Sequence, residues 1–229
     1  MARKKRVTRK QLLKEPDKVI TTTGKVIQTI QVYKTQLSYV AGALIVMLLV
    51  IVGLRYYSDV RENRAFAMLD QALSKYEARK SDVGAKQAYQ DTMEDFERIV
   101  NAYSAKNGGK MARLLFADIC YDAGEFERAV LLYNRSLEDF DGNAFFKKLI
   151  ISSLGHAHQG KNDLKTAQNF YQTNADDAEP FLRDEALFHL GKIYDAMGKN
   201  LKSQEAFQEI ITEFPASIYV NMVSEKVPG

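Results

Sequence analysis

Leu187-Phe188-His189-Leu190-Gly191-Lys192-Ile193-Tyr194-Asp195-Ala196-Met197-Gly198 is the segment on which the architecture turns. Leu187, Leu190 and Tyr194 recur at helical spacing, and Gly198 stands where a helix would end. Phe207, Ile210, Ile211 and Pro215 follow and mark a second, antiparallel helix. A residue as small as Gly191 lets two helices approach closely, and a large aromatic from the second helix fills the gap to the next hairpin. That aromatic recurs as Phe96, Tyr133, Tyr171 and Phe207, at spacings of 37, 38 and 36 residues. Ala129 and Ala167 supply further small positions. No helical hairpin buries its apolar face alone, so several must stack.

Outward from this segment the same frame holds. Ala117, Gly124, Phe126, Ala129, Tyr133 and Ser136 occupy it upstream. Leu154, Gly155, Ala167 and Tyr171 occupy it between, with His158 in place of the usual tyrosine and Asn162 at the turn glycine. Ser203 and Ile210 take the small positions of the last repeat. Phe66, Leu69, Leu73 and Tyr76 make one apolar stripe, and Tyr89, Met93, Phe96, Val100 and Tyr103 another. Loops are predicted at 81–84, 106–110, 141–143, 161–163, 176–180 and 198–200. The reading is an all-α protein, an α-solenoid of hairpins near 60–105, 109–142, 147–178 and 184–215. A capping helix over 216–227 carries Ile218, Met222 and Val223.

The N-terminal quarter is different. Residues 1–34 carry ten Lys or Arg against Glu15 and Asp17, a net of +8, whereas residues from Arg55 onward sum to −5. Between them, residues 35–54 form an uncharged run of twenty centred on AGALIVMLLVIVGL. At about 1.5 Å per residue that run matches the bilayer's hydrocarbon thickness. Tyr39, Tyr56 and Tyr57 stand where amphipathic aromatics mark interfaces. Arg-Tyr-Tyr-Ser-Asp after Leu54 offers no cleavage site, so a retained transmembrane anchor is expected. The basic tail keeps the N-terminus cytoplasmic and sends residues 55–229 across the inner membrane to the periplasmic side. It reads as a clamp for anionic lipid, since no aromatics interleave it as a nucleic-acid platform requires. Thr8-Arg9-Lys10-Gln11 has the form of a capping box stopped near Pro16. Thr21-Thr22-Thr23-Gly24 is expected to break the chain before the amphipathic Val26, Ile27, Ile30, Tyr33 and Leu37.

Chemistry is sparse. Cys120 is the only cysteine and excludes an internal disulfide. No HExxH, P-loop, GxSxG or CxxC occurs. His156 and His158 are two apart and point to different helix faces, and His189 has no second ligand at helical spacing, so no metal site is expected. Neither cofactor nor catalytic residue is indicated, and the chain reads as a non-enzyme.

The repeat positions resemble the tetratricopeptide repeat (TPR). That resemblance implies a concave surface lined by the first helix of each hairpin, here Leu115, Asp118, Tyr121, Asp122, Ser152, Ser153, His156, Gln159, Glu185, His189, Lys192 and Asp195. TPR domains that grip chaperone C-termini use Lys and Asn at set groove positions. Asp118, His156 and Lys192 replace the asparagines, so a C-terminal carboxylate is not the implied ligand. With its tail and anchor, the chain resembles the bacterial membrane-anchored TPR-like family of YfgM type. That resemblance implies protein or peptide partners, among them the Sec translocon and a membrane-anchored periplasmic chaperone, and a role beside proteins emerging from the membrane. The alternative is a scaffold for an envelope complex in division or outer-membrane assembly.

Overall fold

A computed structural model describes residues 18–177 and 179–227. The capping-box segment at Thr8–Pro16 and the densest part of the basic tail lie outside the described residues. Every regular element among those described is helical: α1 (Lys18–Val83), α2 (Ala85–Ala102), α3 (Asn107–Asp122), α4 (Phe126–Asp139), α5 (Ala144–Gly160), α6 (Leu164–Ala175), α7 (Arg183–Ala196), α8 (Asn200–Glu213), α9 (Val220–Val223) and a 3-10 turn at Ser224–Lys226. The chain divides into two units, Met1–Asp59 and Val60–Gly229.

The described part of the first unit is α1 as far as Asp59. Gly24, expected in a chain break, lies inside this helix. A helical glycine costs about 1 kcal/mol relative to alanine, too little to stop a long helix. The backbone departs from helical values only at Tyr33 (φ −104°, ψ 15°). From Leu44 to Leu54 every large apolar side chain is exposed. Residues 29–83 form a helix long and apolar enough, by length and composition, to cross a membrane, and none of its most apolar window is buried among the described residues.

The second unit is a succession of antiparallel hairpins. The turn inside each hairpin holds a left-handed residue, Gly84 (φ 83°), Gly124 (φ 80°), Asn162 (φ 62°) or Gly198 (φ 71°). Asparagine is among the few residues besides glycine that tolerate this conformation, which explains Asn162 at the turn glycine. Asn143 and Asp163 cap α5 and α6 by accepting the amides of Phe146 and Thr166, both at 3.2 Å.

Small residues and aromatics interlock as their spacing implied. Phe96, Tyr133, Tyr171 and Phe207 are all buried. A Cβ on Gly155 would stand 2.7 Å from the Tyr171 ring, and one on Gly191 would stand 2.2 Å from that of Phe207. Two apolar cores result. One runs from Leu69 to Ala157 and the other from Ala167 to Val223, so they part inside the third hairpin, between α5 and α6.

Two sequence expectations shift. The stripe of α1 that is buried is Ala65, Leu69, Ala72 and Tyr76, while Phe66 is 44% exposed. The cause is Gly108, whose Cα lies so close to α1 that a Cβ would meet that of Ala65 at 2.8 Å. Consequently Gly108 and Gly109, expected in a loop, belong to the first turn of α3 and serve close helix approach. Glu62 completes the junction by accepting the amides of Gly108 (2.7 Å) and Asn107 (3.2 Å), a carboxylate at the positive end of α3. The expected capping helix over 216–227 is shorter, a single turn at Val220–Val223 followed by the 3-10 turn, and Val223 rather than Ile218 is its buried residue.

Candidate functional site

The first helices of the second to fourth hairpins, α3, α5 and α7, carry the residues assigned to the groove. Positions four apart on a helix share a face. Ser152 and His156 therefore project together from α5, as do Glu185 and His189 from α7, and the two pairs meet. The Ser152 hydroxyl donates to Glu185 Oε1 at 2.6 Å, and His156 Nε2 stands 3.0 Å from the same oxygen. On the other side of its ring, His156 Nδ1 lies 2.8 Å from the Tyr171 hydroxyl. The ring thus bridges a carboxylate and a phenol, and a proton on Nε2 lets it donate to Glu185 and accept from Tyr171. The Tyr171 oxygen also lies 3.2 Å from Gln159 Oε1.

The His189 ring stacks on Tyr171 with centroids 4.9 Å apart and meets His156 edge-on at 4.5 Å. Its Nδ1 is buried without a hydrogen-bond partner. Ligand atoms of His156, Glu185 and His189 all lie within 4.8 Å of one another. The spacing alone gave His189 no second donor, yet Glu185, four residues earlier on the same face, brings a carboxylate oxygen near it. His156 comes from the neighbouring hairpin, which no spacing within one helix reveals. His158, by contrast, turns to Asp163 at 3.1 Å and stacks on Phe170, away from the cluster.

Electrostatics follow from these contacts. The bond from His156, with that from Ser152, holds the Glu185 carboxyl below its ordinary range against the opposing effect of burial. Burial pushes the His189 imidazole down to about 4, helped by His156 and Lys192 and opposed by Glu185. At neutral pH the cluster therefore presents a carboxylate beside a neutral imidazole.

The other groove assignments are dispersed around it. The Tyr121 ring lies 6.3 Å from that of His156. Asp118 accepts the Tyr133 hydroxyl at 2.6 Å. The enclosing wall pushes its carboxyl up to about 6 against that bond, with Asp122 adding to the rise, although the residue keeps an exposed edge. Ser153 reaches the same tyrosine. Leu115 packs half-buried on the first core. Lys192 lies over the Phe188 ring at 5.3 Å. Asp122 and Asp195 are engaged away from the cluster, with Lys80 at 2.7 Å and Lys226 at 3.6 Å.

A family model described as a tetratricopeptide repeat-like domain matches residues 31–227. The chain belongs to that family. The match takes in every hairpin of the TPR-like array, the cluster between α5 and α7, and the apolar stretch of α1. No curated protein sequence matches the chain. Within a TPR-like array the first helices form the face that is free to receive a partner. The Ser152, His156, Glu185 and His189 group stands on those helices.

Proposed function

We propose that this chain is a non-enzymatic protein-interaction module, anchored in the inner membrane by residues 35–54, with its TPR-like domain on the periplasmic side. There it assists translocation or a periplasmic chaperone network, in the manner of the YfgM-type family. The observation that carries the reading is the family match over residues 31–227, which takes in both the helical array and the apolar stretch of α1. The net of +8 before that helix and −5 after it supports an N-terminus retained in the cytoplasm, where anionic lipid holds it. Partners are proteins or peptides. The mixed, partly acidic lining with Asp118, Tyr121 and Lys192 favours polar segments over a terminal carboxylate.

Photocrosslinkers placed at Asp118, Tyr121 and Lys192 in native membranes test the role. Capture of translocon subunits together with many short-lived exported chains supports it. Recovery of one fixed set of envelope proteins would instead establish a scaffold. Protease added from each side tests orientation, and digestion of residues 60–227 only from the cytoplasmic side would sink the periplasmic placement.

A further inference from the structure

The His156, Glu185 and His189 group has the composition of a transition-metal site. We propose that these three side chains bind one divalent zinc-class ion at the joint between the third and fourth hairpins, leaving a fourth position for water or a donor from a partner. Two imidazoles and a carboxylate are a donor set that zinc accepts. Bonds of about 2.0–2.2 Å in a tetrahedron place donors about 3.4 Å apart. The donors here begin at 3.0 Å (His156 to Glu185), and none is farther than 4.8 Å from another.

Three further features point to a ligand. First, Glu185 and His189 are one turn apart on α7, so the helix itself sets their separation. Second, the surrounding bonds are those that orient metal ligands: with its proton moved to Nδ1, His156 donates to the Tyr171 oxygen at 2.8 Å, whose own hydroxyl donates to Gln159, and Nε2 is freed to coordinate, while Ser152 holds Glu185 at 2.6 Å. Third, a buried ring nitrogen without a partner, as His189 Nδ1 is, costs stability unless something meets it. The neighbouring charges are Glu185, which attracts a cation, and Lys192, which repels one from the far end of a chain laid over Phe188. Nothing in this site depends on which partner the groove takes.

The test uses the untagged full chain in detergent micelles, stripped with chelator and titrated with Zn2+ alone by calorimetry and with Co2+ by visible absorption. One saturable equivalent is expected, with the intense Co2+ bands of a four-coordinate site. His156→Ala, His189→Gln and Glu185→Gln should each lower affinity at least about tenfold, the scale of losing a ligand or its support, while His158→Ala binds as the wild type does. Circular dichroism checks that each variant keeps its helices. If the ligand variants fail to fold, the wild-type stoichiometry and Co2+ spectrum decide alone. Absence of saturable binding, octahedral Co2+ spectra, or one equivalent retained by the His156→Ala/His189→Gln double variant overturns the proposal.

Discussion

Gly191→Ala isolates the interlock that spaces the hairpins. Its added Cβ would lie 2.2 Å from Phe207 Cε1 and 2.7 Å from Cδ1 and Cζ, where carbon contacts normally begin near 3.5 Å. The ring must retreat by more than an ångström, and Phe207 is only 1% exposed, so it has nowhere to go without moving α8. Overpacking of this kind costs about 1–3 kcal/mol. With the clash this deep the upper end applies, and the gain in helix propensity returns about 1 kcal/mol. The expected net loss is about 2 kcal/mol, a fall of about 4–8 °C in the unfolding midpoint for a domain of this size. Thermal unfolding of the full chain in micelles, followed by far-UV circular dichroism, measures it. Trimming the ring should rescue the alanine, so Gly191→Ala with Phe207→Leu should be less destabilising than the two single losses added together. Gly142→Ala, with nothing within 4 Å of its added carbon, is the control and should stay within about 0.5 kcal/mol of wild type. A raised midpoint for Gly191→Ala, or a cost indifferent to Phe207, would refute the reasoning.

Glu62→Gln should cost about 1 kcal/mol by removing charge from the α3 N-terminus, and hydrogen exchange at Asn107 and Gly108 should quicken before that of the α3 interior. In chelator, acid should destabilise the array through His189. Its folded affinity for protons is depressed from 6.5 to about 4, so the unfolded chain binds more protons between those values and stability falls as pH drops through them, by up to about 3 kcal/mol. His189→Phe should flatten that part of the pH profile of the unfolding midpoint, and an unchanged slope would assign it elsewhere. Cys120 is fully buried and its thiol is pushed up to about 12, chiefly by burial. Maleimide should label it only as fast as the α3–α4 hairpin opens, in step with denaturant; rapid labelling of native protein would contradict that burial.

The aromatic period was legible because each of Phe96, Tyr133, Tyr171 and Phe207 must enter a gap of fixed size, and side-chain volume is written in the sequence. The glycines misled for a related reason. Gly24 and Gly108 read as breakers, yet Gly24 is merely tolerated inside a long helix with nothing near it, and Gly108 marks a close approach that only its partner Ala65 reveals. Phe66 read as core because spacing gives a stripe but not its rotation about the axis. The polar cluster was half visible: Glu185 and His189 are a helical pair in plain view. Its other half, His156, lies 29 residues before Glu185 and joins only when α5 packs beside α7.

The polar cluster between α5 and α7 has a mechanical consequence. Most joints of the array are filled with hydrocarbon, whose cohesion is indifferent to acid and to cations. At the joint between the third and fourth hairpins, Ser152, His156, Tyr171, Glu185 and His189 add polar ties to the apolar contact, and the strength of such ties is set by the solution. The terminal hairpin and α9 are thus a section whose grip on the rest of the stack can be graded from outside, the way a clasp differs from a weld.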